Sequence, residues 1–238
     1  MTRRILHVLF AILALAGGAA FAAGTITQLS GTLSVMRADG SVRILSQKSQ
    51  VIVGDVLETQ KDSYAQVKFD DGAEITLKPN TQFAVQAFAF KPAQPKEDNL
   101  VFRLIKGGLR AVSGLIGKRG DQDSYLVQTA TSTVGIRGTT FDVDDCKTTL
   151  CRKAGGAGQD AQLSEEMLEA AVYVSVRDGL VIVSNPAGSV LLGAGQFGVA
   201  AAMNIRPQLL PGDPGLGGIP DLSLRDTVTS RGHGKDCE

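Results

Sequence analysis

Residues 127–143, VQTATSTVGIRGTTFDV, set two β-rich runs on either side of a corner made of Gly135, Ile136, Arg137, Gly138 and Thr139. Valine, threonine, isoleucine and phenylalanine fit a pleated, half-buried surface, and glycine supplies backbone angles closed to other residues. A chain written this way turns often and buries one face of each short run. The clearest case lies upstream. Ala65, Val67 and Phe69 share one face, Gln66 and Lys68 the other, Asp70-Asp71-Gly72 reverses direction, and Ile75 and Leu77 return on the apolar side. Alternation with period two predicts one buried and one wet face.

The same pattern recurs along the chain. Residues 32–35 and 42–45 flank an Ala38-Asp39-Gly40 turn, and residues 51–53 lead into the turn pair Gly54-Asp55. Residues 92–98, charged and containing proline, read as a surface loop. Residues 100–110 resume alternation around Gly107-Gly108, where glycine inside a strand signals a bulge or a close backbone approach. Residues 125–128, 133–136 and 139–143 form closing strands. After an excursion at 146–170, strands return over 171–199. Residues 159–171 alone have helix-forming composition. Residues 33–57 and 174–197 share an order of strand, Asp-Gly turn, strand, polar turn, apolar strand and glycine turn, a weak internal repeat that suggests stacked units. The expected fold is all-β: many short strands in a sandwich-like or solenoid-like two-layer domain, with at most one short helix.

The first residues set an expectation about compartment. Arg3 and Arg4 precede an apolar run at 5–16, and Ala20-Phe21-Ala22 has the small-residue form of a cleavage site, so residues 1–22 read as a removed signal peptide. The run is shorter than the roughly 18–20 residues that span a bilayer. The domain is expected over 24–203 and an irregular Pro/Gly-rich tail over 204–238. Export would place the protein in the periplasm, or beyond it at the surface. Loss of Arg3 and Arg4 from 24 basic residues leaves 22 against 24 acidic ones, a near-neutral balance that argues against a nucleic-acid partner.

Several spaced segments carry a family resemblance: VGDVLET at 53–59, DSYAQVKFDDGAEITLKPNTQFAV at 62–85, RLIKGGLRAVSGLIGKRG at 103–120, and the Gly135–Thr139 corner. Together, in this order, they resemble FecR-type domains. The resemblance implies an extracytoplasmic, non-enzymatic all-β module. It also implies signal relay from an outer-membrane receptor to a sigma factor, although this sequence shows no internal membrane helix and no segment to hold a sigma factor. On the family pattern Gly54, Asp55, Asp71, Gly72, Gly135, Arg137, Gly138 and Thr139 are motif residues of structural character.

Other candidates divide between chemistry and architecture. His7 lies in the leader and His233 near the C-terminal end, so the domain offers no imidazole for nucleophile activation or zinc. No cofactor is expected. Gly193-Ala194-Gly195-Gln196-Phe197-Gly198 matches G-x-G-x-x-G, but without room for a βαβ unit it reads as a turn. Cys146 and Cys151 are candidate disulfide partners, with Cys237 left over. Asp142, Asp144 and Asp145 with Asp121 and Asp123 read as solvated edge charges in preference to a calcium site. Arg103, Lys106, Arg110, Lys118 and Arg119 read as a wet face and basic turn, with docking of an anionic partner as the alternative. Arg137 is expected to reach back under its turn to carbonyls or a carboxylate. The expected function is an exported interaction module for another cell-envelope protein; the alternative is a carbohydrate-binding module, for which Tyr64, Tyr125 and Tyr173 are the phenols available. A catalytic pairing of Asp142 with Asp71 is the least favoured reading.

Overall fold

The computed structural model describes residues 22–119, 123–146, 171–216 and 219. Most of them form one large, mainly antiparallel β system: β1 (Ala22–Ser30), β2 (Leu33–Met36), β3 (Val42–Leu45), β4 (Gln50–Ile52), β5 (Val56–Thr59), β6 (Tyr64–Phe69), β7 (Glu74–Leu77), β8 (Gln82–Ala89), β9 (Asn99–Val112), β10 (Tyr125–Gln128), β11 (Thr133–Asp145), β12 (Val172–Asn185), β13 (Gly188–Gly193), β14 (Phe197–Ala200) and β15 (Gln208–Leu210). A short α-helical turn, α1 (Leu115–Arg119), follows β9.

The register shows how short runs become two layers. β1 and β2 form one bent path with its break at Gly31, and alongside it run β5 and β6: β2 pairs β5 while β1 pairs β6. Next come β7 and β8, then the two halves of β9, then those of β11 and β12, each path antiparallel to the last. Positive-φ residues mark the bends: Gly31 at 86°, Asp62 at 57°, Asn80 at 54°, Gly107 at 84°, Gly138 at 60° and Gly179 at 84°. A strand that bends there carries on in the second layer, so one hydrogen-bonded ladder folds over on itself. β10 is the exception, pairing parallel to β9 through Tyr125↔Leu100 to Gln128↔Arg103.

Inside the fold lies one contiguous core. Phe69 of β6 meets Phe102 of β9 with centroids 4.8 Å apart, Phe83 of β8 meets the same ring at 4.9 Å, and Tyr125 of β10 stands edge-on to it at 5.8 Å. Phe102 therefore ties β6 from one layer to β8 and β10 in the other. Period-two alternation puts these rings inward and Lys68 and Arg103 outward.

A repeat exists in topology, but not in the register the sequence pattern suggested: Asp178-Gly179 is a bend inside β12, the counterpart of Gly31, and not a hairpin turn like Asp39-Gly40. At one end β3 pairs β2 and β4 pairs β1; at the other β13 pairs the far half of β12 and β14 its near half. Lys48 N donates to Ile26 O at 2.8 Å and Ile26 N to Ser49 O at 2.9 Å. Their counterparts are Gly195 N to Val176 O at 2.8 Å and Val176 N to Gln196 O at 3.0 Å. Two like units therefore cap the two ends of the bent stack. The G-x-G-x-x-G stretch supplies the turn between β13 and β14, with no helix after it.

Two features differ from expectation. Ordered strand extends past residue 203, because β15 pairs β14 and helps bury Tyr173 and Val199 with Leu210 and Leu216. The α-helical turn of the described chain is α1, inside the glycine-broken basic segment, whereas residues 159–170, where a helix was expected, lie outside the described residues.

Candidate functional site

Where a strand bends, ladder bonds are lost, and buried hydroxyls replace them. Thr59 Oγ1 donates to Lys78 O at 2.6 Å and accepts from Thr81 N at 2.9 Å. Thr81 Oγ1 donates to Gly108 O at 2.9 Å and accepts from Gly108 N at 3.0 Å. Ser63 Oγ accepts from Thr32 N at 2.9 Å, and Ser113 Oγ from Thr139 N at 2.8 Å. Each such bond spares a buried backbone group the cost of lacking a partner. The bends also nest. A Cβ on Gly107 would stand 2.6 Å from Thr81 Cα, and one on Gly179 would strike Gly138 O and stand 2.7 Å from Thr139 Cγ2.

The motif carboxylates are structural caps. Asp71 Oδ1 accepts from Ala73 N at 3.0 Å, closing the β6–β7 hairpin, and Oδ2 accepts from Ile116 N at 3.2 Å at the start of α1. Gly72, at φ 85°, supplies the left-handed residue of that hairpin. Burial pushes the Asp71 carboxyl above its ordinary value, outweighing the two backbone N–H groups that favour the charged form. Asp55 Oδ2 accepts from Ile52 N at 2.9 Å and pairs with Arg37 Nη1 at 2.9 Å, tying the β4–β5 turn to the β2–β3 turn. Burial raises this carboxyl as well. Gly54, at φ 92°, lets its N–H reach Val85 O at 2.8 Å.

Ion pairs absorb most of the basic segment. Arg119 donates to Asp98 Oδ2 through Nε at 3.2 Å and Nη2 at 3.1 Å, to Pro92 O and Lys91 O, and lies 4.9 Å from the centroid of Phe90. Lys106 pairs Glu58 at 2.8 Å. Arg110 and Arg177 clasp Asp142 at 2.8 and 2.9 Å, and Lys78 Nζ reaches both oxygens of Asp144 at 2.7 and 2.9 Å. Asp142 and Asp144 are thus buried members of a charged ladder that runs from Lys78, just past β7, over β9, β11 and β12, not solvated edge charges. Burial raises the Asp144 carboxyl, against the pull of Lys78. Asp71 and Asp142, weighed together as catalytic, serve separate structural sites.

The Gly135–Thr139 corner is the sharp bend of β11. Gly135 is buried opposite Leu126 and Ile182, Gly138 has φ 60°, and Thr139 exchanges bonds with Ser113. Arg137 departs from expectation: its side chain is exposed and makes no hydrogen bond or ion pair among the described residues. Its register partner is the exposed Leu180, and Lys118 packs near Gly138. Of the tyrosines, Tyr125 and Tyr173 are buried, so neither offers a ring to a sugar. Burial and then the Asp71 charge push the Tyr125 phenol up. Cys146 is buried, while Cys151 and Cys237 lie outside the described residues, as do Asp121 and residues 1–21. Among the described residues no group of acidic, histidine or cysteine side chains is arranged to hold a metal, and no helix is long and apolar enough to cross a membrane.

A family model described as FecR protein matches residues 55–181, more than half of the 238-residue chain. The chain belongs to the FecR family. The matched span begins at Asp55 and takes in the Asp71 cap, α1 and the Gly135–Thr139 corner. The β1–β4 cap precedes the span, apart from its final turn. Crystal structures at 1.65 and 2.50 Å of a Parabacteroides distasonis ATCC 8503 protein, described as a "putative anti-sigma factor", are similar to this FecR chain at 17% and 18% identity with TM-scores of 0.45. Each match covers 67% of this chain and spans 60% of that protein's length. A cell surface anchoring domain is similar over 26% of this chain and 82% of its own, at 24% identity and a TM-score of 0.26. No curated protein matches.

Thr59, Ser63, Thr81 and Ser113 are the site residues that sequence reasoning missed. Their signal was faint: a small hydroxyl at the end of an alternating run, where a turn residue and a strand residue look alike.

Proposed function

We propose that this chain is an exported, non-enzymatic FecR-family module that binds another cell-envelope protein and serves envelope signalling or assembly. The observation that carries this reading is the distribution of exposed apolar side chains. Met36, Val42 and Ile44 stand 45%, 67% and 70% exposed on one end cap, and Leu180, Ile182 and Leu191 stand 49%, 41% and 61% exposed on the other. Exposed apolar groups gathered on two hairpins suit protein contacts. The buried carboxylates of Asp55, Asp71, Asp98, Asp142 and Asp144, by contrast, are committed to backbone N–H groups and internal cations. Arg137 adds an exposed guanidinium beside Leu180, a residue type favoured in interface anchors.

The test is crosslinking and affinity capture of the full chain, tagged at its C-terminus, from envelope fractions of cells that make it. One discrete envelope protein should be enriched. Ile44→Glu and Ile182→Glu variants, run beside the wild type, place a charge on one cap each, and loss of capture by either identifies the cap in use. Fractionation should find the chain outside the cytoplasm, with residues 1–22 removed. Recovery in the cytoplasm, or retention only on polysaccharide, would overturn the reading.

A further inference from the structure

The sheet ends in four edge strands among the described residues, and they are not equally open. β4 is closed by Asp55, which takes Ile52 N, and by Arg37 Nη2, which donates to Gln50 O at 3.3 Å. β13 is closed at both ends: Arg206 Nε donates to Ser189 O at 3.0 Å, and Gln196 Oε1 accepts from Gly193 N at 2.7 Å. β15 is bracketed by Pro207 and Pro211. β3 has none of these devices.

The register fixes which groups of β3 point outward. Arg37 N donates to Ser41 O at 2.9 Å, and pairing continues through Val35↔Arg43 and Leu33↔Leu45. In an antiparallel ladder the bonded pairs alternate, so Arg43 and Leu45 bond to β2 while the N–H and C=O of Val42 and Ile44 face away. These two residues are also among the most exposed apolar side chains of the described structure.

A second copy is a poor occupant. To use both outward residues, antiparallel self-pairing must set Val42 against Ile44 of the other copy, which places Arg43 directly opposite Arg43. Like charges directly opposite destabilise a ladder. Shifting the register by one pair calls on Ser46, whose N–H is held by Ser49 Oγ and whose C=O by Ser49 N, or on Gly40, whose N–H is held by Arg37 O. Arg43 is exposed and has no ion pair among the described residues. The same guanidinium that repels a copy would welcome a carboxylate.

Resting on the proposed reading of the chain as a protein-binding module, we infer that β3 is its docking edge. Its occupant is an extended segment of a partner protein that adds as a strand, with an acidic residue opposite Arg43 and apolar residues on either side covering Val42 and Ile44.

The direct test titrates the full chain with a blocked synthetic peptide, Thr-Val-Glu-Val-Thr, and with the same peptide carrying Lys for Glu, while amide hydrogen exchange is followed. The acidic peptide should slow exchange at Val42 and Ile44 and bind about tenfold more tightly than its lysine counterpart. Arg43→Glu should reverse that preference. Ile44→Pro removes only an outward N–H, a substitution an edge strand accepts, and should abolish binding with the melting curve intact. If that variant unfolds, the Arg43→Glu reversal still decides. Equal affinity for both peptides, protection elsewhere, or no binding would overturn the inference. Capture from envelope extracts separates the two levels: a partner retained equally by wild type and Ile44→Pro removes the β3 edge but keeps the module, whereas no partner with wild type removes both.

Discussion

At the scale of single residues, backbone angle and contact decide together what a position tolerates. Gly40 and Gly179 have φ values of 80° and 84°, yet a Cβ at Gly40 meets open space while one at Gly179 strikes the neighbouring bend. Gly179→Ala should cost roughly 1–3 kcal/mol and Gly40→Ala sit at the low end of that range, as read from urea denaturation midpoints. Arg137→Ala, an exposed change that breaks no bond among the described residues, should alter stability by less than about 0.5 kcal/mol in the same assay. Asp71 gives a pH signature. Its folded carboxyl binds a proton more tightly than the unfolded chain, whose value is near 3.8, so its contribution falls as pH rises from 3.8 through the raised value, then levels. The stability of wild type relative to Asp71→Asn should therefore decline as pH rises above about 4 and then level; a flat or rising difference just above pH 4 would contradict the burial argument.

At the scale of elements, α1 is held by what surrounds it. A five-residue helix has little stability of its own, and this one is capped by Asp71 and clamped by Arg119 to Asp98 and the carbonyls of Lys91 and Pro92. Arg119→Ala leaves the buried Asp98 with only the Lys91 N–H on its other oxygen and should cost about 1.5–3 kcal/mol in thermal unfolding. Arg119→Lys should restore only part of it, since an ammonium cannot reproduce the forked geometry. Neither the helix nor its clamp was legible beforehand. Residues 115–119 read as a basic turn because alternation had stopped and nothing local announced a helix; the capping carboxylate lies far off in sequence, on the β6–β7 hairpin. The hairpins themselves were legible, because their turn residues and alternating faces are neighbours in the chain.

At the scale of the whole molecule, stability depends on the two layers closing over a shared core. Phe102 touches Phe69 across that gap and Phe83 and Tyr125 within its own layer, so Phe102→Ala should remove about 3–5 kcal/mol, measured by denaturant unfolding. The expected outcome is loosening of both layers together, since one core serves both. The two end caps close the stack at either side. Their equal topology with unequal edges, plugged at β13 and open at β3, gives the molecule a direction that its near-neutral charge does not.

The sequence alone determined the all-β class, the family and the clearest hairpins with their turns, because alternation, glycine and hairpin chemistry act over a few neighbouring residues; it did not announce β1, β8 or β15, and it set the repeat of the two caps in the wrong register. Tertiary structure decided what those residues do. It turned Asp142 and Asp144 from apparent edge charges into buried ladder members, left Arg137 exposed, and made Thr59 and Thr81 the hydrogen-bonding pins of a bend. Each of these outcomes depends on partners brought together by strand pairing between distant parts of the chain, and one residue's own neighbours carry no record of which strand will lie beside it.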